Sequence, residues 1–166
     1  LALGTTAARE NIMEDKPRPK SENIFRKFLY FIVIAVILKV LGNLAVYFYG
    51  LDKDIANGVD MNSLDTHSHA RTMVFTGIVL FELVFAFVCT QEKYPTIKEI
   101  LSNKKLIGAC LISLAMQIIV IYTPFMQKIF KTTPLSLMEW VILFLLACSA
   151  FLVPPITIIT KKFFKK

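Results

Sequence analysis

Thr72–Gln91 reads TMVFTGIVLFELVFAFVCTQ, a twenty-residue apolar run with one acid, Glu82, near its centre. Twenty residues of α-helix match a bilayer's hydrocarbon core, so the run predicts a membrane-spanning helix. A carboxylate at that depth costs about 2.5–3.5 kcal/mol on insertion scales. Glu82 therefore needs a counter-ion, a proton or a bound cation, and its neighbours GIVLFELVFAFV supply none.

Three further apolar stretches flank this one: Phe28–Tyr49, Leu106–Thr123 and Leu137–Thr160. With 55% hydrophobic residues in 166, the chain carries more apolar surface than a soluble domain hides. The expected fold is an all-α membrane protein, a four-transmembrane-helix bundle with spans at 28–49, 72–91, 106–123 and 137–160. Residues 1–27 form a cytoplasmic lead-in and 161–166 a basic cytoplasmic tail. The protein is thus an integral, multi-pass membrane protein, and plasma and organelle membranes both remain open. The first residues are polar and lack the basic start and apolar core of a cleavable signal. The opening at Leu1, without Met, predicts a piece of a longer protein.

Most of the 19 Lys and Arg residues fall on one side of the predicted spans. Arg9, Lys16, Arg18, Lys20, Arg26 and Lys27 precede the first. Lys93, Lys98, Lys104 and Lys105 lie between the second and third, and Lys161, Lys162, Lys165 and Lys166 follow the last. The positive-inside rule then places both termini in the cytoplasm. The net charge of +7 reflects membrane topology, with the lipid bilayer as partner and no nucleic acid.

Between spans, Gly50–Ala70 holds Asp52, Asp54, Asp60 and Asp65 and reads as a solvated outer loop. A short amphipathic helix is expected at Pro95–Leu101, with Pro95 at its start. Pro124–Pro134 mixes Phe125, Ile129 and Phe130 with Lys128 and Lys131, a composition suited to the membrane interface. The last span begins at Thr133-Pro134 or at the capping box Ser136…Glu139, with Trp140 near the outer boundary. Pro154-Pro155 predicts a bend or break.

Lys39 lies eleven residues into the first span, about 16 Å at helical rise, and Glu82 ten residues from the outer end of the second, about 15 Å. Both lie near the midplane, so an ion pair that holds the helices in register competes with a cation site at Glu82 that leaves Lys39 facing elsewhere, and with a protonated or lipid-snorkelling carboxyl. Asn43, one turn from Lys39, and Gln117, paired with Ser113 at i, i+4, are secondary polar candidates for contacts across helices. Asp65, His67 and His69 form a string that could ligate a metal only with two further ligands, and a solvated loop is the expected reading. Cys89, Cys110 and Cys148 lack metal-ligand spacing and read as buried free thiols. The sequence holds no Gly-rich phosphate loop, no Asp-Lys-Thr sequence and no nucleophile beside a base. The segment is accordingly expected not to be an enzyme by itself and to need no cofactor of its own.

Three stretches carry a family resemblance. Leu1-Ala2-Leu3-Gly4 with Asn11-Ile12-Met13-Glu14-Asp15-Lys16-Pro17-Arg18-Pro19-Lys20 resembles the loop after the sixth membrane helix of P-type cation-transporting ATPases. Ala70-Arg71-Thr72-Met73 with Phe81-Glu82-Leu83 is similar to the eighth helix of calcium pumps. Ile121 to Lys131, with Leu135 and Trp140, resembles the connection between helices nine and ten. They occur in the family's order and cover essentially the whole chain. The resemblance implies that the spans are helices seven to ten of a pump of the calcium-like branch. They would brace its transport helices, with the remainder of the ATPase as partner and with ATP and Mg2+ used elsewhere in that pump. It also implies that Glu82 contributes a ligand to a transported cation, Ca2+ by this pattern, and that residues 5–24 touch the phosphorylation domain. Phe85 stands where calcium pumps often have Asn, and Lys39 is foreign to their pattern, which leaves sodium or proton transport as alternatives. A self-contained four-helix membrane assembly or regulatory protein is the alternative from another class.

Overall fold

A bilayer offers no hydrogen bonds to the backbone, so an apolar segment crossing it must satisfy its own N–H and C=O groups, and a helix does so. The computed structural model describes residues 24–58, 68–89 and 103–157. Their helices, in chain order, are α1 (Ile24–Ala56), α2 (Ser68–Cys89), α3 (Lys104–Tyr122), α4 (Pro124–Phe130) and α5 (Leu137–Cys148). A 3-10 turn at Ser149–Leu152 follows α5, and residues 153–157 are helical again. Four helices are long and apolar enough to cross a membrane: Leu29–Ala56, Ser68–Cys89, Lys104–Tyr122 and Leu137–Thr157. The expected all-α bundle with four spans is what the described residues form.

α2 is the central element, packed on α1, α5 and α3. Val46, Met73, Leu80, Ile121, Leu143 and Ala147 build the main core between these helices, and Phe81, Val88 and Ala150 a second one. Outward faces remain strongly apolar, as at Leu41, Ile112, Leu137 and Leu145. In lipid that exposure costs little, and van der Waals packing with interhelical hydrogen bonds holds the bundle together.

Close approach depends on glycine. A Cβ on Gly50 would lie 2.7 Å from the Ala70 backbone, and one on Gly77 2.7 Å from Asn43 Oδ1. Hydrogen at those positions lets α1 and α2 touch backbone to backbone at Gly50 and backbone to side chain at Gly77.

The starts and ends of α1 and α2 differ from the sequence expectation, and the start of the last span, left open between two positions, is decided. α1 runs on to Ala56, so the first part of the Gly50–Ala70 segment is helix, with Gly50 and Asp54 buried. Asp54 Oδ2 accepts the Ala70 N–H at 3.1 Å and so satisfies an orphan donor in the first turn of α2. Asp54 is a cap, not a solvated loop residue. α2 itself starts at Ser68, before Thr72. α5 starts at Leu137, where Glu139 Oε2 accepts the Ser136 N–H at 2.7 Å. The capping box, rather than Thr133-Pro134, opens the last span.

Pro154 and Pro155 act upstream of themselves. Their missing donors would have bonded the carbonyls of Ala150 and Phe151, and the helix tightens to 3-10 geometry over that turn. The break expected at the prolines is thus a change of pitch at Ser149–Leu152. Residues 1–23 of the lead-in, Asp60, Asp65, His67, Pro95–Leu101 and the basic tail lie outside the described residues, while residues 24–27, expected in the lead-in, already belong to α1.

Candidate functional site

The two intramembrane charges meet. Lys39 Nζ donates to Glu82 Oε1, joining α1 and α2. Their side chains stay 28% and 56% exposed on the surface of the described helices. Arg71, Phe75, Ile78, Glu82 and Cys89 recur at helical spacing along one exposed stripe of α2. Beyond Arg71, Glu82 is thus the one charged side chain on this outward-facing strip.

Asn43, one turn from Lys39, is buried between α1 and α2. Its Nδ2 donates to the Lys39 carbonyl at 2.8 Å, while its Oδ1 faces Gly77 and finds no hydrogen-bond partner among the described residues. Gln117 is buried as well and donates Nε2 to Thr76 Oγ1 at 3.1 Å, crossing from α3 to α2. Ser113, expected to share that role, is exposed.

A second polar centre sits at the end of the bundle where α1 leads towards α2 and α3 turns into α4, the distal end. Glu139, 1% exposed, gathers three donors there. Lys53 Nζ lies 2.5 Å from its Oε1, His69 Nε2 2.9 Å from the same oxygen, and the Ser136 N–H bonds Oε2. An ionised carboxylate only accepts, which puts a proton on His69 Nε2. His69 Nδ1 lies 3.3 Å from Thr133 Oγ1. Lys53 also lies 5.5 Å above the Tyr49 ring, a cation–π distance. One buried acid thereby ties α1, α2, α5 and the α4–α5 connection together.

Sequence reasoning missed this centre. His69 read as part of a solvated string and instead belongs to α2, half-buried against Glu139. Glu139 read only as a helix cap. The available signal was an acid in the first turn of an apolar span, with a Lys and a His at the distal ends of two others. Beside the knot, Trp140 Nε1 donates to the Tyr122 hydroxyl at 2.9 Å, which donates to the Leu135 carbonyl at 2.7 Å. The cysteines are free thiols, but Cys89 is exposed and Cys110 and Cys148 are partly so, against the expectation of full burial. No group of three or more His, Cys, Asp or Glu residues able to hold a metal occurs among the described residues.

Residues 1–163 match the family described as "Cation transporting ATPase, C-terminus". The chain belongs to that family. It is 29% identical over 168 residues to Calcium-transporting ATPase 1 of Yarrowia lipolytica, covering 99% of this chain and 16% of that protein. Identity to the Calcium-transporting ATPase of Bacillus subtilis is 26% over 147 residues, 86% of this chain and 15% of the relative. It reaches 30% over 152 residues with Calcium-transporting ATPase type 2C member 1 of Mus musculus, 90% of this chain and 15% of the relative. The chain thus spans about one-sixth of the length of these curated relatives. The resemblance read from three short stretches thus holds along nearly the whole chain.

Proposed function

We propose that this cation-ATPase C-terminal segment braces the transport helices of an ATP-driven calcium pump and docks on them through the α2 stripe that carries Glu82. The observation that supports docking there is the exposure of the Lys39–Glu82 pair. A charged pair at mid-membrane depth cannot face hydrocarbon cheaply, so protein or a water-filled cavity must cover it. Family membership supports the remainder of such a pump as the partner, and ATP with Mg2+ would act there. The distribution of basic residues supports cytoplasmic termini, and residues 5–24 would then reach the phosphorylation domain.

Glu82 has a second part in this reading. Ca2+ takes about 6–8 oxygen ligands, and one carboxylate provides two at most. Glu82 is therefore a contributing ligand, completed by helices outside this chain. Lys39 is its counter-ion whenever the cation is absent. The direct ion pair equally supports a simpler role, a pin that sets the register of α1 against α2.

Transport and unfolding measured on the intact pump separate the two. As a ligand, Glu82→Gln lowers Ca2+ affinity with little loss of folded protein, while Lys39→Met leaves stability nearly intact. If each single variant destabilises the protein, the double variant recovers and Ca2+ affinity never moves, the pin is the whole role.

A further inference from the structure

Lys39 engages one oxygen of Glu82, Oε1, and Oε2 receives no hydrogen bond from the described residues. The carboxylate is also the more exposed member of the pair, 56% against 28%. Its open side lies outward on the α2 stripe, so a cation can reach Glu82 without passing Lys39. We infer that Lys39 is a tethered counter-ion standing in for a proton, so that a cation binds to and leaves Glu82 without moving one. Lys39 acts this way only if Glu82 is the cation ligand proposed above.

A carboxyl group in hydrocarbon avoids an uncompensated charge in two ways: it takes up a proton, or it pairs with a cation. A lone acid takes the proton each time its transported ion departs. Binding of the next ion then converts Glu–COOH to Glu–COO− on the metal and releases one H+. With Lys39 beside it, the empty site already holds an ammonium on the carboxylate. The arriving ion moves that ammonium aside on its flexible stem. The ammonium keeps its own proton, because an alkylammonium is a far weaker acid than a carboxylic acid. No proton enters or leaves the pair in either direction.

No other carboxyl or amine lies in the middle of the bundle. From Phe31 to Val46 of α1 the one titratable residue is Lys39, and from Met73 to Val88 of α2 it is Glu82. α3 brings Cys110, whose Sγ lies 4.0 Å from the Leu83 carbonyl, and the last span brings Cys148, both free thiols. Cys89, a third free thiol, lies two turns beyond Glu82 on the same stripe. All of these stretches are among the described residues. Within this chain, the charge on Glu82 is therefore answered by Lys39 alone.

Equilibrium binding of radiocalcium to the whole protein carrying this segment, from about pH 6 to 8, tests the proton count, because the slope of log affinity against pH equals the protons released per ion. Groups elsewhere in the protein add the same slope to every variant. Lys39→Met should steepen the rise of affinity with pH by about one, a further ten-fold per pH unit. Adding Glu82→Gln to Lys39→Met should restore the wild-type slope, and Lys39→Arg, which keeps the charge, should retain it. An unchanged slope in Lys39→Met, or an equal steepening in Lys39→Arg, overturns the counter-ion. Should the Lys39 variants misfold, protons released at saturating Ca2+ are counted in wild type and Glu82→Gln instead. Equal counts support the counter-ion, and one proton more from wild type means that Glu82 carries the proton itself. Glu82→Gln also separates the two possible failures. Ca2+ affinity unmoved by Glu82→Gln removes Glu82 as a ligand, and the counter-ion with it. Lowered affinity there, with a wild-type slope in Lys39→Met, removes the counter-ion alone.

Discussion

Lys53 and Glu139, 86 residues apart in sequence, meet at 2.5 Å at the distal end of the bundle. The lysine side chain keeps 40% of its surface exposed while the glutamate keeps 1%. The pair is therefore asymmetric: Lys53 can be hydrated without its partner, and Glu139 cannot.

That asymmetry predicts unequal costs. Lys53→Met should cost about 1 kcal/mol, because His69 and the Ser136 N–H still hold Glu139. Glu139→Ala should cost about 2–4 kcal/mol, since it strips a buried acceptor from three donors and a cap from α5. Glu139→Gln should fall between them. Thermal unfolding of the three variants in detergent micelles checks the order, and a Lys53 variant as unstable as Glu139→Ala would contradict it.

Glycine substitutions should separate by what each new methyl strikes. A Cβ on Gly50 meets the Ala70 backbone at 2.7 Å, whereas one on Gly42 meets Leu146 Cδ1 at 2.0 Å. The shorter contact is the milder one, because a leucine tip can change rotamer and a helix backbone cannot. Gly50→Ala should cost about 1–3 kcal/mol as α1 and α2 are forced apart, and Gly42→Ala should cost less. Chemical denaturation of the two variants in mixed micelles decides the ranking.

The Gln117–Thr76 hydrogen bond between α3 and α2 is buried yet neutral. Interhelical hydrogen bonds of this kind average about 0.6 kcal/mol, because the separated helices find other partners. Gln117→Leu and Thr76→Val in a double-mutant cycle should give a coupling of that size. A coupling several times larger would mean that this bond anchors α3, which packs on α2 over a smaller interface than α1 or α5 does.

Much of the helical plan was legible because the bilayer imposes it locally. An apolar stretch of sufficient length must become a helix whatever its neighbours do, and four such stretches did. The Lys39–Glu82 pair was legible for a related reason: depth follows from residue count at a fixed rise, and adjacent antiparallel spans bring equal depths together. The last span's capping box was legible because its two residues lie within one turn. Asp54, Lys53 and His69 were not. Each sits near a span end, where composition alone reads as a polar loop, and each is recruited by a group 16 or more residues distant.

Sequence alone thus determined which segments cross the membrane and which two charges share a depth, since helix length and rise depend on nothing beyond the segment itself. Tertiary packing decided where α1 stops, why Glu139 is buried and what His69 does. Those outcomes depend on which helix faces meet, and the close approach at Gly50 and Gly77 brings α1 against α2, so that two distant side chains, Lys53 and His69, share one carboxylate.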